Sequence, residues 1–138
     1  MIVYFDSSAL VKLLVAEDGS TMAQELWDAR RLSAASVLAY VETRAALAHA
    51  QRLGRISGER LRRGMATLDG IWRAIRTIAL DDRLAKVAGA AAEAHGLRGG
   101  DAVHLASALS IQDPGVVFAT WDRTLSRAAR GVGYHVVP

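Results

Sequence analysis

Met1-Ile-Val-Tyr-Phe-Asp-Ser-Ser-Ala-Leu-Val-Lys-Leu-Leu14 changes its hydrophobic period once, at the aspartate. Ile2 to Phe5 is a short apolar run rich in strand-forming types, which predicts a β-strand. From Ser7 to Ala16 the leucines Leu10, Leu13 and Leu14 recur at helical spacing, and the helix ends near Gly19. Asp6 stands at the junction between the two.

The same alternation continues along the chain. Ser20 starts a second helix, to about Arg30, and Leu32 to Ala35 is a short strand. Ser36 caps a long helix to Leu53, stopped by Gly54, and Ser57 caps another to about Gly70. Ile75 to Leu80 reads as a weaker strand. Asp81 caps a helix to His95, which Gly96 ends. A helix from Asp101 to Gln112 closes on the turn Asp113-Pro-Gly115. Val116 to Thr120 is a buried-type strand, Asp122 to Arg130 a short helix, and Tyr134 to Val137 a last strand. Strands alternating with helices predict an α/β fold with a mostly parallel sheet covered on both faces. Sites in such sheets lie beyond the carboxyl ends of strands, where the strand order reverses. Asp6 and Asp122 stand at such ends.

At 138 residues, 51% of them apolar, the chain is long enough for one domain with a core, and a single domain over residues 1–138 is expected. No stretch has the length of a membrane span, and the apolar start is too short and lacks the basic flank of a secretory signal. Without cysteine there is no disulfide framework and no thiolate chemistry, so a cytoplasmic protein is expected. The formal charge is +3, and every basic residue except Lys12 and Lys86 is arginine. Between Arg52 and Arg76 lie Arg55, Arg60, Arg62, Arg63 and Arg73, opposed only by Glu59 and Asp69. Such a stretch suits a polyanionic partner, although arginine on a helix is more often a solvated face.

Four carboxylates carry the chemistry: Asp6, Glu42, Asp101 and Asp122. Each aspartate precedes a helical stretch and has an ordinary reading as an N-cap. Capping is compatible with turning one oxygen towards a cation. On a helical wheel Glu42 falls with Leu38, Ala39, Ala45, Ala46 and His49, an alanine-lined face where a carboxylate needs a partner. Arg44 and Arg52 are the nearest basic candidates, though neither shares that face well. Crowded carboxylate oxygens suit Mg²⁺ or Mn²⁺, which would activate a water and neutralise charge on a phosphate undergoing displacement. No nucleotide-binding glycine loop competes. His49, His95, His104 and His135 show no metal-ligand spacing, and His104 is read as a packed or supporting residue. Trp121 is read as packing rather than as a base-stacking platform, and Trp27 and Trp72 as core or interface.

The opening Met1 to Leu13 resembles that of PIN-domain proteins, and most nearly the VapC toxins of bacterial toxin–antitoxin pairs. Glu42 fits the internal glutamate of the family. Gly100-Asp-Ala-Val-His-Leu-Ala-Ser-Ala108 looks like its aspartate-headed helix, and Phe118-Ala-Thr-Trp-Asp-Arg-Thr-Leu125 like its strand-end element. The resemblance covers essentially the whole chain. It implies a three-layer α/β/α sandwich and a metal-dependent endoribonuclease that cuts structured RNA such as tRNA or rRNA. Asp6, Glu42, Asp101 and Asp122 would form the acidic site, with Asp6 and Asp101 as direct ligands and Glu42 and Asp122 acting through water. Ser8 and Thr120 would orient ligands or waters. It also implies a homodimer silenced by a small VapB-type antitoxin, with DNA met only through that antitoxin. Two other readings compete: a catalytically weak binding module serving a repressor complex, and a phosphotransfer receiver or phosphatase. The second needs a lysine or another aspartate that Ser7-Ser8, following Asp6, do not supply.

Overall fold

The computed structural model describes all residues, 1–138. Five strands, β1 (Ile2–Phe5), β2 (Leu32–Ser36), β3 (Ile75–Ile78), β4 (Val116–Ala119) and β5 (His135–Val137), form one sheet in the order β3-β2-β1-β4-β5. Every ladder in it is parallel. Seven helices connect and cover the strands: α1 (Ser7–Leu14), α2 (Ser20–Ala29), α3 (Val37–Arg52), α4 (Gly58–Trp72), α5 (Asp82–His95), α6 (Gly99–Leu109) and α7 (Arg123–Gly131). The expected α/β architecture of three layers is therefore present, with a sheet that is wholly parallel.

The period-2 pleat divides each central strand between two cores. Ile2 and Tyr4 of β1, with Val116 and Phe118 of β4, face a cluster built from α5, α6 and α7. Val3 and Phe5, with Val117 and Ala119, face the other side, against Ala9 and Leu10 of α1 and Ala39 of α3. This is why Ile2–Phe5 and Val116–Ala119 are unbroken apolar runs: no residue in either strand faces water. Full burial of Leu10, at 0% exposure, contributes about 1.5–3 kcal/mol by the usual area argument. β3 lies at the edge, and its Arg76 and Thr77 are exposed accordingly.

Successive connections carry the chain from β1 out to β3 and then back across to β4 on the other side of β1. The order reverses between β1 and β4, so the expected place for a crevice is beyond Phe5 and Ala119, where Asp6 and Thr120 follow. The two strand ends are tied there by Asp6 N–H donating to the Ala119 carbonyl at 3.2 Å.

Most expected caps are present: the side chains of Asp6, Ser36, Ser57, Asp81 and Asp122 each accept a backbone N–H of the following first turn. Asp101 is an exception. The N-cap of α6 is Arg98, and Gly99 and Gly100 are its first helical residues, ahead of the expected start at Asp101. Asp101 is thus the third residue of the helix, where a carboxylate still meets the favourable end of the helix dipole. The helix also stops at Leu109, short of Gln112.

Gly19 precedes α2 with φ of +92°, and a Cβ there would lie 2.4 Å from Trp121 Nε1. The left-handed backbone and the indole together require glycine. Gly54, at φ +72°, has nothing within 4 Å of its Cβ direction. Gly54→Ala should therefore cost only the conformational penalty, about 1–2 kcal/mol, and Gly19→Ala more than that in parallel urea titrations. Equal losses would show that Trp121 yields freely.

Candidate active site

Asp6 is the most buried of the four carboxylates, at 3% exposure. Its Oδ1 accepts from Ser8 Oγ at 2.7 Å and from the Ala9 N–H at 2.8 Å. Its Oδ2 accepts from Thr120 Oγ1 at 2.6 Å. The two hydroxyls are fixed in turn, since Ser8 Oγ accepts the Trp121 N–H at 2.8 Å and Thr120 Oγ1 the Asp122 N–H at 3.0 Å. β1 and β4 thereby place Asp6, Ser8 and Thr120 in one rigid network. Each carboxylate oxygen offers two lone pairs, so Oδ2 keeps one unused. Burial pushes the Asp6 carboxyl above its ordinary pKa; the nearby His104 and the three hydrogen bonds oppose that shift.

Asp101 is half-buried, and its Oδ2 is enclosed by protein without a hydrogen-bond partner. Arg98 Nε lies 3.6 Å from that oxygen, an ion-pair distance too long for a hydrogen bond, and the Arg98 side chain is 86% exposed. Burial raises the Asp101 pKa, and Asp122 and then Glu42 add like charge; Arg98 and His104 oppose it. Asp122 spends Oδ1 on the Leu125 N–H at 2.8 Å. Asp122 and Glu42 thus act on Asp101, whereas Asp6 is linked to them only through His104, whose charge acts on both Asp6 and Asp101, and no three His, Asp or Glu side chains form a ready metal cage.

Glu42 departs from the wheel reading. The buried stripe of α3 is Ala39, Thr43 and Leu47, while Ala45, Ala46 and His49 are exposed. Glu42 borders that stripe on the side of α6, and its partner is neither Arg44 nor Arg52. Oε1 meets His104 Nε2 at 2.6 Å. That pairing was missed in the sequence, although an imidazole inside the buried run Ala102–Ala108 must find polar partners. Gly100 makes room for it: a Cβ there would lie 3.1 Å from Glu42 Oε2.

A family model described as PIN domain matches residues 3–131. The chain belongs to the PIN-domain family. It is 47% identical over 137 residues to Ribonuclease VapC45 of Mycobacterium tuberculosis strain CDC 1551 / Oshkosh, covering 99% of this chain and 95% of that one. That relationship makes it a VapC-type PIN protein. Among solved structures, Mycobacterium tuberculosis VapC20, a sarcin–ricin loop cleaving toxin, superposes with a TM-score of 0.72 at 15% identity, covering 99% of both chains. A toxin–antitoxin complex from Klebsiella pneumoniae gives 0.68 at 18% identity, covering 99% and 96%. Both carry the same PIN architecture.

Other parts of this PIN chain are less involved in the crevice. Arg52, Arg55, Arg62, Arg63, Arg73 and Arg76 are exposed, and none is among the charges that act on Asp101. Trp121 is half-buried, packed over Gly19 with Lys12 Nζ 5.8 Å from its ring centre. Trp27 packs on Phe5 and Trp72 on Tyr40. No helix is long and apolar enough to cross a membrane.

The raised carboxylates predict a pH signature. A folded-state pKa above the unfolded value, about 3.9 for aspartate, stabilises the fold below that value. The contribution is lost as pH rises through the folded pKa. Metal-free protein should therefore lose the Asp6 and Asp101 contributions as pH climbs from about 4. Mn²⁺ at a hundredfold over its Kd should add about 2.7 kcal/mol at neutral pH, and less in acid, where protons compete. Melting curves at pH 5 and 7.5, with and without Mn²⁺, check this; an equal or absent shift counts against the site.

Proposed function

We propose that this PIN protein is the toxin of a toxin–antitoxin pair, a divalent-metal-dependent endoribonuclease that hydrolyses phosphodiester bonds in structured RNA. The observation that carries the reading is the enclosed Oδ2 of Asp101, without a hydrogen-bond partner, beside Asp122 and Glu42. A buried acceptor without a hydrogen-bond donor, crowded by like charge, is relieved by a proton or by a cation bound closer than Arg98. Mg²⁺ and Mn²⁺ fit this donor set, because they take hard oxygen ligands and need only one or two carboxylates beside water.

Asp6 Oδ2 and Asp101 Oδ2 are the oxygens that would hold the ion. When bound, it supplies positive charge at the reacting phosphate and makes water a better nucleophile. Ser8 and Thr120 lock Asp6 in place, so its remaining lone pair needs no reorganisation. Glu42 Oε2 and the oxygen of Asp122 not used in capping would orient water. In the reaction, a water oxygen bonds to phosphorus, the bond to the leaving oxygen breaks, a proton of that water passes to a carboxylate or to solvent, and the leaving oxygen takes up a proton from solvent.

The protein is further proposed to act in the cytoplasm as one unit, residues 1–138. Its VapC kinship, and the likeness to a chain solved with its antitoxin, support a small VapB-type partner that carries DNA recognition. The exposed Leu80, Val87 and Leu109 support pairing with a second copy.

The test is purified, antitoxin-free protein incubated with total RNA and Mg²⁺ or Mn²⁺, with cut ends mapped by sequencing. Discrete cuts that vanish with chelator support the nuclease and identify its target. No cuts from folded, metal-binding protein would favour the binding-module reading.

A further inference from the structure

His104 is 2% exposed and lies between two partners on other elements. Its Nε2 is 2.6 Å from Glu42 Oε1 on α3, and its Nδ1 is 2.9 Å from the Tyr4 hydroxyl on β1. Tyr4 is fully buried, and its oxygen also accepts the Ser36 N–H at 3.2 Å, at the end of β2. The donor count fixes the direction at Glu42. The Glu42 carboxylate accepts, so Nε2 is the donor to it; Nδ1 and the Tyr4 hydroxyl share the second hydrogen bond, and the Tyr4 oxygen also accepts from Ser36. Burial holds the Tyr4 pKa above its ordinary value, so the hydroxyl stays protonated.

We infer that Tyr4 and His104 form a buried strut whose task is to position Glu42, holding Oε1 so that Oε2 points into the crevice beside Asp101. The inference rests on the reading of Glu42 as part of the cleavage site. Glutamate has three rotatable bonds, and this side chain is 34% exposed. Without the strut it would sample rotamers that withdraw it from the site, a loss of preorganisation. The anchoring runs through the Ser36 N–H and Tyr4 to the centre of the sheet. His104 is therefore a positioning residue, and neither it nor Tyr4 touches the reacting phosphate.

The test compares wild type with Glu42→Gln, His104→Leu, His104→Gln and Tyr4→Phe, all checked for folding by circular dichroism. Mn²⁺ affinity is measured by calorimetry without RNA, and kcat and KM separately on a cleaved RNA. His104→Leu should lower kcat and Mn²⁺ affinity about 10–100-fold with little change in KM, the scale for partners that orient a ligand. His104→Gln, whose amide can still donate to Glu42, should recover most of that loss without recovering melting temperature. Tyr4→Phe keeps the ring and cuts the strut at its far end, so it tests the idea if the histidine variants fold poorly; a smaller fall in kcat is expected. Folded His104→Leu and Tyr4→Phe with wild-type kcat and Mn²⁺ affinity, beside an inactive Glu42→Gln, overturn the strut alone. A fully active Glu42→Gln overturns it together with the role of Glu42. Wild-type protein that neither cuts RNA nor binds Mn²⁺ overturns the whole site reading.

Discussion

Asp6→Asn should reduce RNA cleavage by a factor of about a hundred to ten thousand, the loss that follows from removing several kcal/mol of metal-centred stabilisation. The fold should survive. The amide keeps the carboxylate shape, and its oxygen can still accept from Ser8 Oγ and the Ala9 N–H. The amide nitrogen replaces the oxygen that now accepts from Thr120, and the Thr120 hydroxyl can turn to accept instead. Its hydrogen would then face Ser8 Oγ, 3.5 Å away. The substitution also removes a charge that burial already disfavours. Metal-free Asp6→Asn should thus melt at or above the wild-type temperature, with a smaller response to Mn²⁺. Cleavage within tenfold of wild type at matched Mn²⁺ would remove Asp6 from the site.

Asp6 was legible because its signals agree: an apolar run ends, a helix begins, and a cap is needed, all at one residue. The same holds for Val116–Ala119 and Asp122. β3 was weaker because an edge strand carries residues such as Arg76 and Thr77 that blur the pattern. The face read around Glu42 was half right because alanine marks neither core nor surface: Leu38 and Ala39 pack inward while Ala45 and Ala46 are exposed. The true stripe is completed by Thr43 and Leu47, and the histidine that meets Glu42 is 62 residues away on another helix. Gly99-Gly100 hid the true start of α6. Glycine usually interrupts helices, but at the start of α6 the missing Cβ of Gly100 admits the Glu42 carboxylate. Sequence periodicity reports which face of an element is buried. It does not report which polar group two packed helices will share.

The second large effect is on stability, at Phe118. This residue is fully buried in β4, between β1 and β5, with ring centres 5.0 Å from Tyr4 and 5.8 Å from Tyr134. Phe118→Ala should cost about 3–5 kcal/mol, the transfer term plus the cavity left in a core that cannot fully collapse. Against a total of about 5–15 kcal/mol for a domain, that is enough to leave the variant marginal. Urea unfolding should show the midpoint falling with little change in slope. The site should feel the same cavity. The Phe118 ring backs the Tyr4 ring, and Tyr4 carries the hydrogen bond that reaches Glu42 through His104. A folded fraction of Phe118→Ala should therefore cut RNA more slowly per folded molecule, whereas Leu26→Ala, against the opposite face of the sheet, should lower stability without that loss. A cost under about 1 kcal/mol at Phe118 would mean that the core repacks around the gap, and the link between packing and Glu42 would then have no support.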